Sequence, residues 1–423
     1  MNIIEVLRKR GLVDALSSEE LIQRTSHPLK VYAGFDPTAG SLHLGNLVSI
    51  VILAHFQRHG HTPVVLLGGG TVKIGDPSGK SRERPLLDPA TVKKNTASIA
   101  GHFERVLQFD HPTAKPLFVN NETWLGAYPL IDFLRDVGKH FRLGPMLAKE
   151  SVRARLESEE GISFTEFSYQ LLQAYDFYHL WTEHGVSLQI GGSDQWGNIT
   201  AGIELIRKLK GESCYGLTTP LLTRSDGKKF GKTEEGAIWL SPDYCSPYQF
   251  YQYLVRLPDS DVPKLMRMIT FMDLEEIAEI EEQMQKRSYI PNTAQKRLAE
   301  ELTRMMHGEE GLKTAELVTE TAAPGAETTL DATLLEKIRD DMPHAALPIE
   351  ELIGSKFTEV AVKTGLLPSK GEGVRLIKNG GAYLNNERID DPDFQIKNNH
   401  LVGGRFLLLG AGKKKKILVE ALA

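Results

Sequence analysis

Short apolar segments alternate with long helical patterns in the first half of the chain. Val31–Phe35, Pro63–Leu67 and Ser187–Ile190 are mostly apolar, and each ends at a glycine or a turn. This alternation predicts an α/β domain built on a parallel sheet. Because ligands bind beyond the carboxyl ends of the strands in such sheets, we expect a site in the loops that follow these segments.

Beyond Ser241 the pattern becomes helical. Helices are expected at Pro247–Val255, Val262–Phe271, Leu274–Gln285 and Thr293–Met306. Thr321–Thr329 has few large apolar residues and contains Pro-Gly, which indicates a linker or an ordinary surface loop. A small α+β domain follows, with expected helices Ile349–Thr364 and Lys370–Asn379 and hairpin strands near Ala382–Leu384 and Arg405–Leu409. The predicted division is 1–222, 223–320, 321–346 and 347–423.

Composition excludes several classes of protein. The 423 residues are 41% hydrophobic and 25% charged, and no apolar run approaches the roughly 18 residues of a membrane helix. The N-terminus mixes charged residues into its apolar positions, unlike an export signal. Cys214 and Cys245 are too few for a disulfide framework or a four-cysteine zinc site. We expect a multidomain cytoplasmic protein without a membrane or DNA partner.

The net charge of −5 is divided unevenly along the chain. Residues 345–423 contain 12 Lys/Arg and 9 Asp/Glu, a net +3, which leaves −8 for residues 1–344. Four consecutive lysines lie at Lys413–Lys416. A solvated face is the common explanation of such a run, and a nucleic-acid partner is the alternative.

The segment after Val31–Phe35 has the residues of an anion site. A turn at Asp36–Thr38 leads into a helix expected from about Ser41, and the amide groups at a helix start attract phosphate. His43 and Asn46 lie three residues apart there. Local chemistry alone leaves an ordinary strand, turn and helix with a surface histidine equally acceptable.

The glycine-rich segment 68–84 fits neither common nucleotide motif. Gly75–Ser81 is one residue short of a phosphate loop, and the dinucleotide fingerprint lacks its third glycine. The segment still holds Asp76, Lys80 and Arg84, which suit a ligand ammonium and phosphates. In isolation a solvated charged loop is the preferred interpretation.

Phe164–Trp181 predicts an aromatic-rich helix with a polar row. Tyr169, Gln173 and Asp176 lie at i, i+4 and i+7 and therefore share one face. This row faces either water or a polar pocket, and periodicity does not separate the two.

Two further segments carry polar or basic residues after a strand or turn. Asp194, which follows Ser187–Ile190, could accept hydrogen bonds from ribose hydroxyls, although a helix cap is the default explanation. Lys228, Lys229 and Lys232 lie in a glycine-interrupted segment and could contact polyphosphate, although in isolation an exposed basic turn is the preferred interpretation.

Taken together and in this order, the segments resemble the bacterial tyrosyl-tRNA synthetases, a class I aminoacyl-tRNA synthetase family, over essentially the whole chain. His43–Asn46 resembles the HIGH motif, and Lys229–Thr233 resembles the KMSKS loop in its KFGKT form. The segments YAGFDPT, GDPSGKS, FTEFSYQLLQAYD and GGSDQWGN also resemble this family rather than the related tryptophanyl enzymes.

The resemblance implies a Rossmann-like catalytic domain, a helical anticodon-binding domain, and an S4-type RNA-binding domain. It implies a catalytic set of Thr38, His43, Lys80, Arg84, Lys229, Lys232 and Thr233. The implied tyrosine-binding set is Tyr32, Asp76, Asn121, Tyr169, Gln173, Asp176 and Gln195. The implied ATP-binding set is Asp36, Thr38, His43, Gly45, Asn46, Ser49, Asp194 and Lys232.

The implied reaction joins L-tyrosine to tRNA(Tyr) through a tyrosyl-adenylate, with ATP as substrate and Mg²⁺ accompanying it. No tightly bound cofactor and no dedicated metal site are expected. The resemblance also implies a homodimer. Phosphate contacts in the S4-type domain would come from Lys356, Lys363, Lys370, Arg375, Lys378 and Arg388. A synthetase fold that serves only as an RNA chaperone or splicing factor, and a tryptophanyl enzyme, are the alternatives.

Overall fold

The computed structural model describes residues 1–80, 87–225, 227, 230–233, 236–323, 330–412 and 415–422, without the side chains of Ser151, Lys232 and Thr233. The chain forms two compact units. The first comprises residues 1–244 and 257–294, and the second comprises residues 245–256 and 295–423. Within the described ranges no helix has both the length and the apolar composition of a membrane span.

The strands are β1 Ala15–Leu16, β2 Lys30–Phe35, β3 Thr62–Leu67, β4 Leu117–Asn120, β5 Val186–Gly192, β6 Tyr215–Thr219, β7 Lys232–Thr233, β8 Gly236–Ala237, β9 His344–Pro348, β10 Ala382–Leu384, β11 Glu387–Arg388, β12 Phe406–Ala411 and β13 Lys415–Leu422. The helices are α1 Ile3–Lys9, α2 Glu20–Arg24, α3 Leu47–Arg58, α4 Pro89–Glu104, α5 Glu122–Leu125, α6 Leu130–Asp136, α7 Leu143–Leu147, α8 Glu150–Leu156, α9 Phe164–His184, α10 Trp196–Lys210, α11 Pro247–Val255, α12 Val262–Ile269, α13 Leu274–Met284, α14 Thr293–Thr321, α15 Ala332–Ile338, α16 Ile349–Leu352, α17 Phe357–Lys363 and α18 Lys370–Lys378.

The first unit contains a six-stranded sheet in the order β1-β6-β5-β2-β3-β4. The pairs β6–β5, β5–β2, β2–β3 and β3–β4 are parallel, which confirms the predicted parallel sheet, and the short β1 is antiparallel to β6. The strand order reverses between β2 and β5. At such a switch point the loops beyond the strands diverge and leave a crevice for a ligand.

The helix after β2 begins later than expected. We predicted a start near Ser41, but a short 3-10 turn spans Leu44–Asn46 and α3 begins only at Leu47. The His43 side chain caps the 3-10 turn by accepting a hydrogen bond from the Gly45 amide. The predicted start was therefore wrong, and the HLGN segment is a capped turn ahead of α3.

The second unit contains a five-stranded sheet in the order β11-β10-β12-β13-β9. Both faces of β12 are covered. Phe406 and Leu408 join one buried cluster with Tyr248 of α11, whereas Leu407 and Leu409 join another with Phe357 of α17. Burial on both faces explains why this strand is a continuous apolar run and does not alternate apolar and polar residues.

Two predicted helices of the second unit differ from the structure, and two of its strands were not predicted. The expected helix Ile349–Thr364 is broken into α16 and α17, and Gly354 between them has a φ of 80°. The helix expected at Thr293–Met306 continues to Thr321, with a non-helical residue at Gly308. The strands β9 and β13 were not predicted, and β13 contains two of the four consecutive lysines.

A buried ion pair fixes the start of α9. The Arg155 guanidinium donates to Glu166 at 2.6 Å, and both side chains are almost fully buried. Arg155 also donates to the carbonyl oxygen of Gly161 at 2.9 Å. Since α9 carries the polar row of Tyr169, Gln173 and Asp176, this ion pair helps to set the position of that row.

We predict that Arg155→Leu lowers the free energy of unfolding by about 3–5 kcal/mol, because Glu166 would stay buried without its partner. The double variant Arg155→Leu/Glu166→Leu should lose clearly less. Urea unfolding of both variants measures the difference. Arg207→Leu is the control, because the Arg207–Glu204 pair is exposed and should change the same free energy by less than about 1 kcal/mol. Equal losses in the Arg155 single and double variants would contradict the interpretation.

Candidate active site

A cleft of about 370 Å³ lies in the first unit, at the carboxyl ends of β2 and β5. Fourteen of the predicted site residues line this cleft: Tyr32, Asp36, Thr38, His43, Gly45, Asn46, Ser49, Asp76, Lys80, Tyr169, Gln173, Asp176, Asp194 and Gln195. Asn121 is fully buried beside it. Arg84 and Lys229 lie outside the described residues, as do the side chains of Lys232 and Thr233.

One end of the cleft is formed by a buried carboxylate. Asp176 accepts hydrogen bonds from Asn121 Nδ2 at 2.9 Å and from Trp124 Nε1 at 2.7 Å. Each oxygen thus has one donor and can accept a further hydrogen bond. Burial raises the pKa of Asp176 to about 7, although the two hydrogen bonds lower it in part and the nearby Asp36 raises it. Burial thus disfavours the ionised form of the Asp176 carboxyl, and hydrogen-bond donors around it offset part of that cost.

Tyr32 lies at the same end of the cleft. Its side chain is fully buried, and its hydroxyl has no hydrogen-bond partner within the described parts of the chain. Burial and the charge of Asp176 raise the pKa of Tyr32 well above its ordinary value, so the phenol stays protonated. A donor without an acceptor thus lies close to a carboxylate. A ligand hydroxyl can satisfy both, because it accepts one hydrogen bond and donates another.

A second carboxylate holds the neighbouring wall. Asp36 accepts hydrogen bonds from Thr71 Oγ1 at 2.7 Å and from the Tyr169 hydroxyl at 2.9 Å. Asn121 in turn donates to Thr71 at 2.9 Å. A side chain at Gly68 would place its Cβ 1.9 Å from Asp36 Oδ1, so this position requires glycine. Asp36 therefore orients Tyr169 and anchors the wall of the cleft.

Asp76 is surrounded by amide groups. It accepts hydrogen bonds from Gln195 Nε2 at 2.7 Å and from the Ser78 backbone amide at 3.0 Å. Gln173 donates to Gln195, and Asn198 donates to Gln173. These bonds place a carboxylate in the cleft wall, where it can attract a ligand cation.

The polar row of α9 lines the cleft and does not face water. Tyr169 is 6% exposed and Asp176 only 1%, and Gln173 joins the amide network. Of the two alternatives that periodicity left open, water or a polar pocket, the structure shows the polar pocket.

The HLGN turn has a defined hydrogen-bond pattern. The Gly45 amide donates to His43 Nδ1 at 3.1 Å, and the His43 amide donates to Asn46 Oδ1 at 3.0 Å. Because Nδ1 is an acceptor, the neutral imidazole carries its proton on Nε2. His43 thus offers one ring N–H as a hydrogen-bond donor.

Residues 223–233 contain Lys228, Lys229 and Lys232, and we call them the lysine-bearing segment. Backbone atoms of Gly231 in this segment and of Ile238 link it to the HLGN turn. The Ile238 amide donates to the Gly231 carbonyl, and the Leu44 amide donates to the Ile238 carbonyl, both at 2.8 Å. Gly231 has a φ of 75°, and a Cβ there would lie 3.1 Å from Leu44 Cβ. Glycine at position 231 is therefore required for the close approach.

Several residues that support the cleft were missed from the sequence. Thr71, Trp124 and Asn198 supply hydrogen bonds to the predicted side chains. Trp124 follows β4, a strand we did not predict, by four residues. The polar Asn120-Asn121 pair after the apolar Leu117–Val119 was the available signal.

Basic residues of the second unit are largely paired. Lys356, Lys363, Lys370 and Arg388 form exposed ion pairs with Asp393, Glu351, Glu359 and Asp390, respectively. Such surface pairs contribute little to stability, so the cations can exchange these partners for phosphates.

In both units, the described residues contain no group of three or more His, Cys, Asp or Glu side chains able to hold a metal.

Comparison with known proteins agrees with this geometry. Residues 24–322 match the family model of tRNA synthetases class I (W and Y), and residues 335–419 match a tyrosine–tRNA ligase SYY-like C-terminal domain. The tyrosine–tRNA ligase of Protochlamydia amoebophila is 55% identical over 100% of this chain and 99% of its own. The chloroplastic/mitochondrial tyrosine–tRNA ligase of Arabidopsis thaliana is 52% identical over 99% of this chain and 83% of its own.

A solved structure shows the same fold. The truncated mitochondrial tyrosyl-tRNA synthetase of Aspergillus nidulans is 32% identical, with a TM-score of 0.66 over 75% of this chain and 92% of its own. The fold, the cleft and the matched family model define a class I aminoacyl-tRNA synthetase. Within that class the chain belongs to the tyrosine–tRNA ligases, as its full-length relatives and its C-terminal domain show.

We predict that Trp124→Phe raises the pKa of Asp176 further above about 7, because the variant removes a donor that favours the ionised form. A carboxyl has a pKa of about 3.9 in an unfolded chain, so the stability from protonated Asp176 is complete below that pH and is lost as pH rises through the folded pKa. In Trp124→Phe this loss should extend to higher pH.

Urea unfolding from about pH 5 to about pH 9 measures the effect. The native sequence and Trp124→Phe are each compared with their own Asp176→Asn version, which lacks this titration. The difference in unfolding free energy isolates Asp176. Parallel pH profiles for the two backgrounds would show that Trp124 does not control the carboxyl.

Proposed function

We propose that this chain activates L-tyrosine with ATP to form tyrosyl-adenylate and pyrophosphate, and then transfers tyrosine to the 3′-terminal ribose of tRNA(Tyr). The observation that carries the substrate assignment is the pair formed by Tyr32 and Asp176, one an unpartnered donor within the described part of the chain and the other a buried acceptor. The same cleft extends to the capped HLGN turn.

The Tyr32–Asp176 pair selects the substrate hydroxyl. Tyrosine would accept a hydrogen bond from Tyr32 and donate one to Asp176, whereas phenylalanine would leave both groups without that ligand hydroxyl. A site built on such hydrogen bonds rejects the analogue by roughly 10⁴–10⁵, a discrimination for which tyrosyl-tRNA synthetases are the known example. A separate editing domain is then unnecessary.

The amide-surrounded wall receives the other end of the amino acid. Asp76, Tyr169 and Gln173 are assigned to the tyrosine ammonium, and Asn121 and Gln195 support them from behind. Asp76 supplies the negative charge. Its bonds to Gln195 and Ser78 hold the carboxylate in place before the substrate arrives, which reduces the entropy cost of orienting the ligand.

The HLGN end of the cleft receives ATP. Asn46, Ser49 and Asp194 are assigned to the ribose, and Thr38 and His43 to the outer phosphates. The tyrosine carboxylate attacks the α-phosphorus, and the pyrophosphate leaves with increasing negative charge. His43 Nε2–H and the cations stabilise that charge without acting as general bases.

The remaining cations extend this assignment. Lys80 lines the cleft, whereas Arg84, Lys229, Lys232 and Thr233 are assigned to pyrophosphate from the family resemblance. Mg²⁺ is proposed to enter with ATP as part of the substrate. The helical part and the S4-type domain are proposed to bind tRNA, within the four-part division given above, and the cytoplasm is the proposed location.

Tyrosine-dependent exchange of labelled pyrophosphate into ATP tests the proposed reaction. The exchange should require tyrosine, whereas tryptophan should not support it. A folded protein that shows no exchange with tyrosine would overturn the proposal.

We predict that His43→Ala slows adenylate formation by about a hundredfold while tyrosine affinity changes little, because the lost donor acts on charge that develops in the transition state. Stopped-flow adenylate formation and equilibrium tyrosine binding measure the two quantities. His111→Ala is a matched control, because His111 Nδ1 also accepts from a backbone amide in a turn, that of Ala114, yet His111 does not line the cleft. An equal loss in binding and in rate would contradict the phosphate role of His43.

A surface on α6 and α7 supports the proposed homodimer. Phe133 of α6 and Met146 of α7 belong to one buried cluster, together with Val137, which directly follows α6. Their outward residues are large and apolar, with exposures of 69% for Leu130, 73% for Ile131 and 66% for Leu143. A patch of this kind is typical of a protein interface, and a second copy of the chain is the occupant we propose.

We predict that Ile131→Glu converts the dimer to a monomer at micromolar concentration, because two buried carboxylates would face the same interface. Sedimentation velocity measures the change. Ile290→Glu is the control, because Ile290 is also 73% exposed but does not belong to α6 or α7. A monomeric native protein, or an unchanged Ile131→Glu dimer, would remove this surface from the proposal.

A further inference from the structure

The first residues of the lysine-bearing segment are attached to α12. The Ser225 backbone amide donates to Asp261 Oδ1 at 2.8 Å, and Lys264 Nζ donates to the Thr223 carbonyl at 3.2 Å. Ser260 Oγ donates to Ser225 Oγ at 3.0 Å. We call residues 223–225 the stem, because they precede Lys228, Lys229 and Lys232 in the sequence.

Asp261 is used in an unusual way at the start of α12. It occupies the N-cap position, yet its side chain makes no hydrogen bond to its own helix. The residue is 4% exposed, and Oδ2 has no hydrogen-bond partner in the described ranges. An aspartate at this position normally stabilises its helix by about 1 kcal/mol. Here the carboxylate bonds to the stem instead.

Other contacts hold α12 to the body of the first unit. Arg10 donates to the carbonyl oxygens of Arg267 and Thr270, both at 3.2 Å, and of Met272 at 2.8 Å. These bonds satisfy carbonyl groups at the end of the helix, where partners are otherwise missing. Helix α12 also packs on α3, which follows the HLGN turn directly.

The base of the segment is closed as well. The Phe230 amide donates to the Leu222 carbonyl at 2.9 Å, and Phe230 is 3% exposed. The stem is therefore fixed to α12, and α12 is fixed to the helix that begins at the HLGN turn. Through these contacts, one frame holds the stem and the turn assigned to ATP.

We propose that Asp261 and Lys264 are positioning residues, which hold the stem so that the lysines of this segment meet the departing pyrophosphate. The inference rests on the phosphate role assigned to these lysines under Proposed function. Misplacing a charged group by about 1 Å can cost about a hundredfold in rate. The loss of one anchor, with the others intact, should cost less, about tenfold in the adenylate formation rate.

Four single variants test the proposal. Asp261→Ala removes the acceptor of the Ser225 amide and should slow adenylate formation about tenfold, with the KM for tyrosine unchanged. Asp261→Asn keeps an acceptor oxygen and should restore most of the rate. Lys264→Met, at a half-buried position, should slow the reaction severalfold. It tests the attachment of the same stem if Asp261→Ala fails to fold. Asp331→Ala is the control, because it removes an N-cap aspartate of α15 in the other unit and should leave the rate unchanged.

Two outcomes of the single variants overturn the proposal. One is a rate within about twofold of the native rate in both Asp261→Ala, where it folds, and Lys264→Met. The other is a rise in the KM for tyrosine equal to the loss in rate, which would indicate general damage to the cleft.

A double variant separates this inference from the proposed function. If Asp261 acts through the segment, Asp261→Ala should cost less in a Lys232→Ala background than in the native chain, and full additivity overturns the positioning role. A slow Lys232→Ala beside a native-like Asp261→Ala refutes only the positioning role. A Lys232→Ala variant with a native rate refutes the phosphate role itself, and the positioning role with it.

Discussion

The buried carboxylate of Asp176 is the group on which the cleft depends. An ionised carboxyl in the interior is stable only when donors surround it, and Asn121 and Trp124 supply them from the end of β4 and from α5. Asn121 uses its second amide hydrogen on Thr71 and its oxygen on the Gly70 amide. Both amide hydrogens and the oxygen of Asn121 therefore form hydrogen bonds. These bonds fix β4, the Gly70 turn and α9 relative to one another.

The network returns to the helix from which it starts. From Asp176 the network runs through Asn121 and Thr71 to Asp36. The hydroxyl of Tyr169, on the same face of α9 as Asp176, donates to Asp36 and closes the network. Breaking one member leaves its neighbours buried without partners, so the network holds as a unit. The two carboxylates also oppose each other, since the charge of Asp36 raises the pKa of Asp176. A ligand that donates to Asp176 relieves part of that cost, and this links the fold to recognition of a hydroxyl.

Local patterns in the sequence predicted much of this arrangement. The parallel strands, α9 and the polar row of α9 follow from periodicity, which depends on near neighbours. Trp124 was missed because its role depends on a hydrogen bond to Asp176, 52 residues away in the sequence. The start of α3 was misplaced because His43 and Gly45 form a capped 3-10 turn whose residue types also suit a helix. Strand β9 was missed because it pairs with β13, about 70 residues later in the chain, and this pairing leaves no local signal. Strand β13 was missed although it forms a hairpin with the neighbouring β12, because it begins within the run of lysines.

The two ends of the cleft place different demands on geometry for a physical reason. Selection of a hydroxyl depends on hydrogen-bond angle and distance, and the interaction weakens steeply away from the ideal geometry. It therefore requires the buried environment of Tyr32 and Asp176, in which Asn121 and Trp124 hold the carboxylate. Stabilisation of phosphate charge falls only as the inverse of distance. Long lysine side chains can therefore supply it from a segment held by hydrogen bonds such as Ser225 N–H to Asp261 Oδ1 and Ile238 N–H to the Gly231 carbonyl. Under the proposed function, specificity thus depends on the packed interior, and charge stabilisation depends on anchored segments beside the HLGN turn.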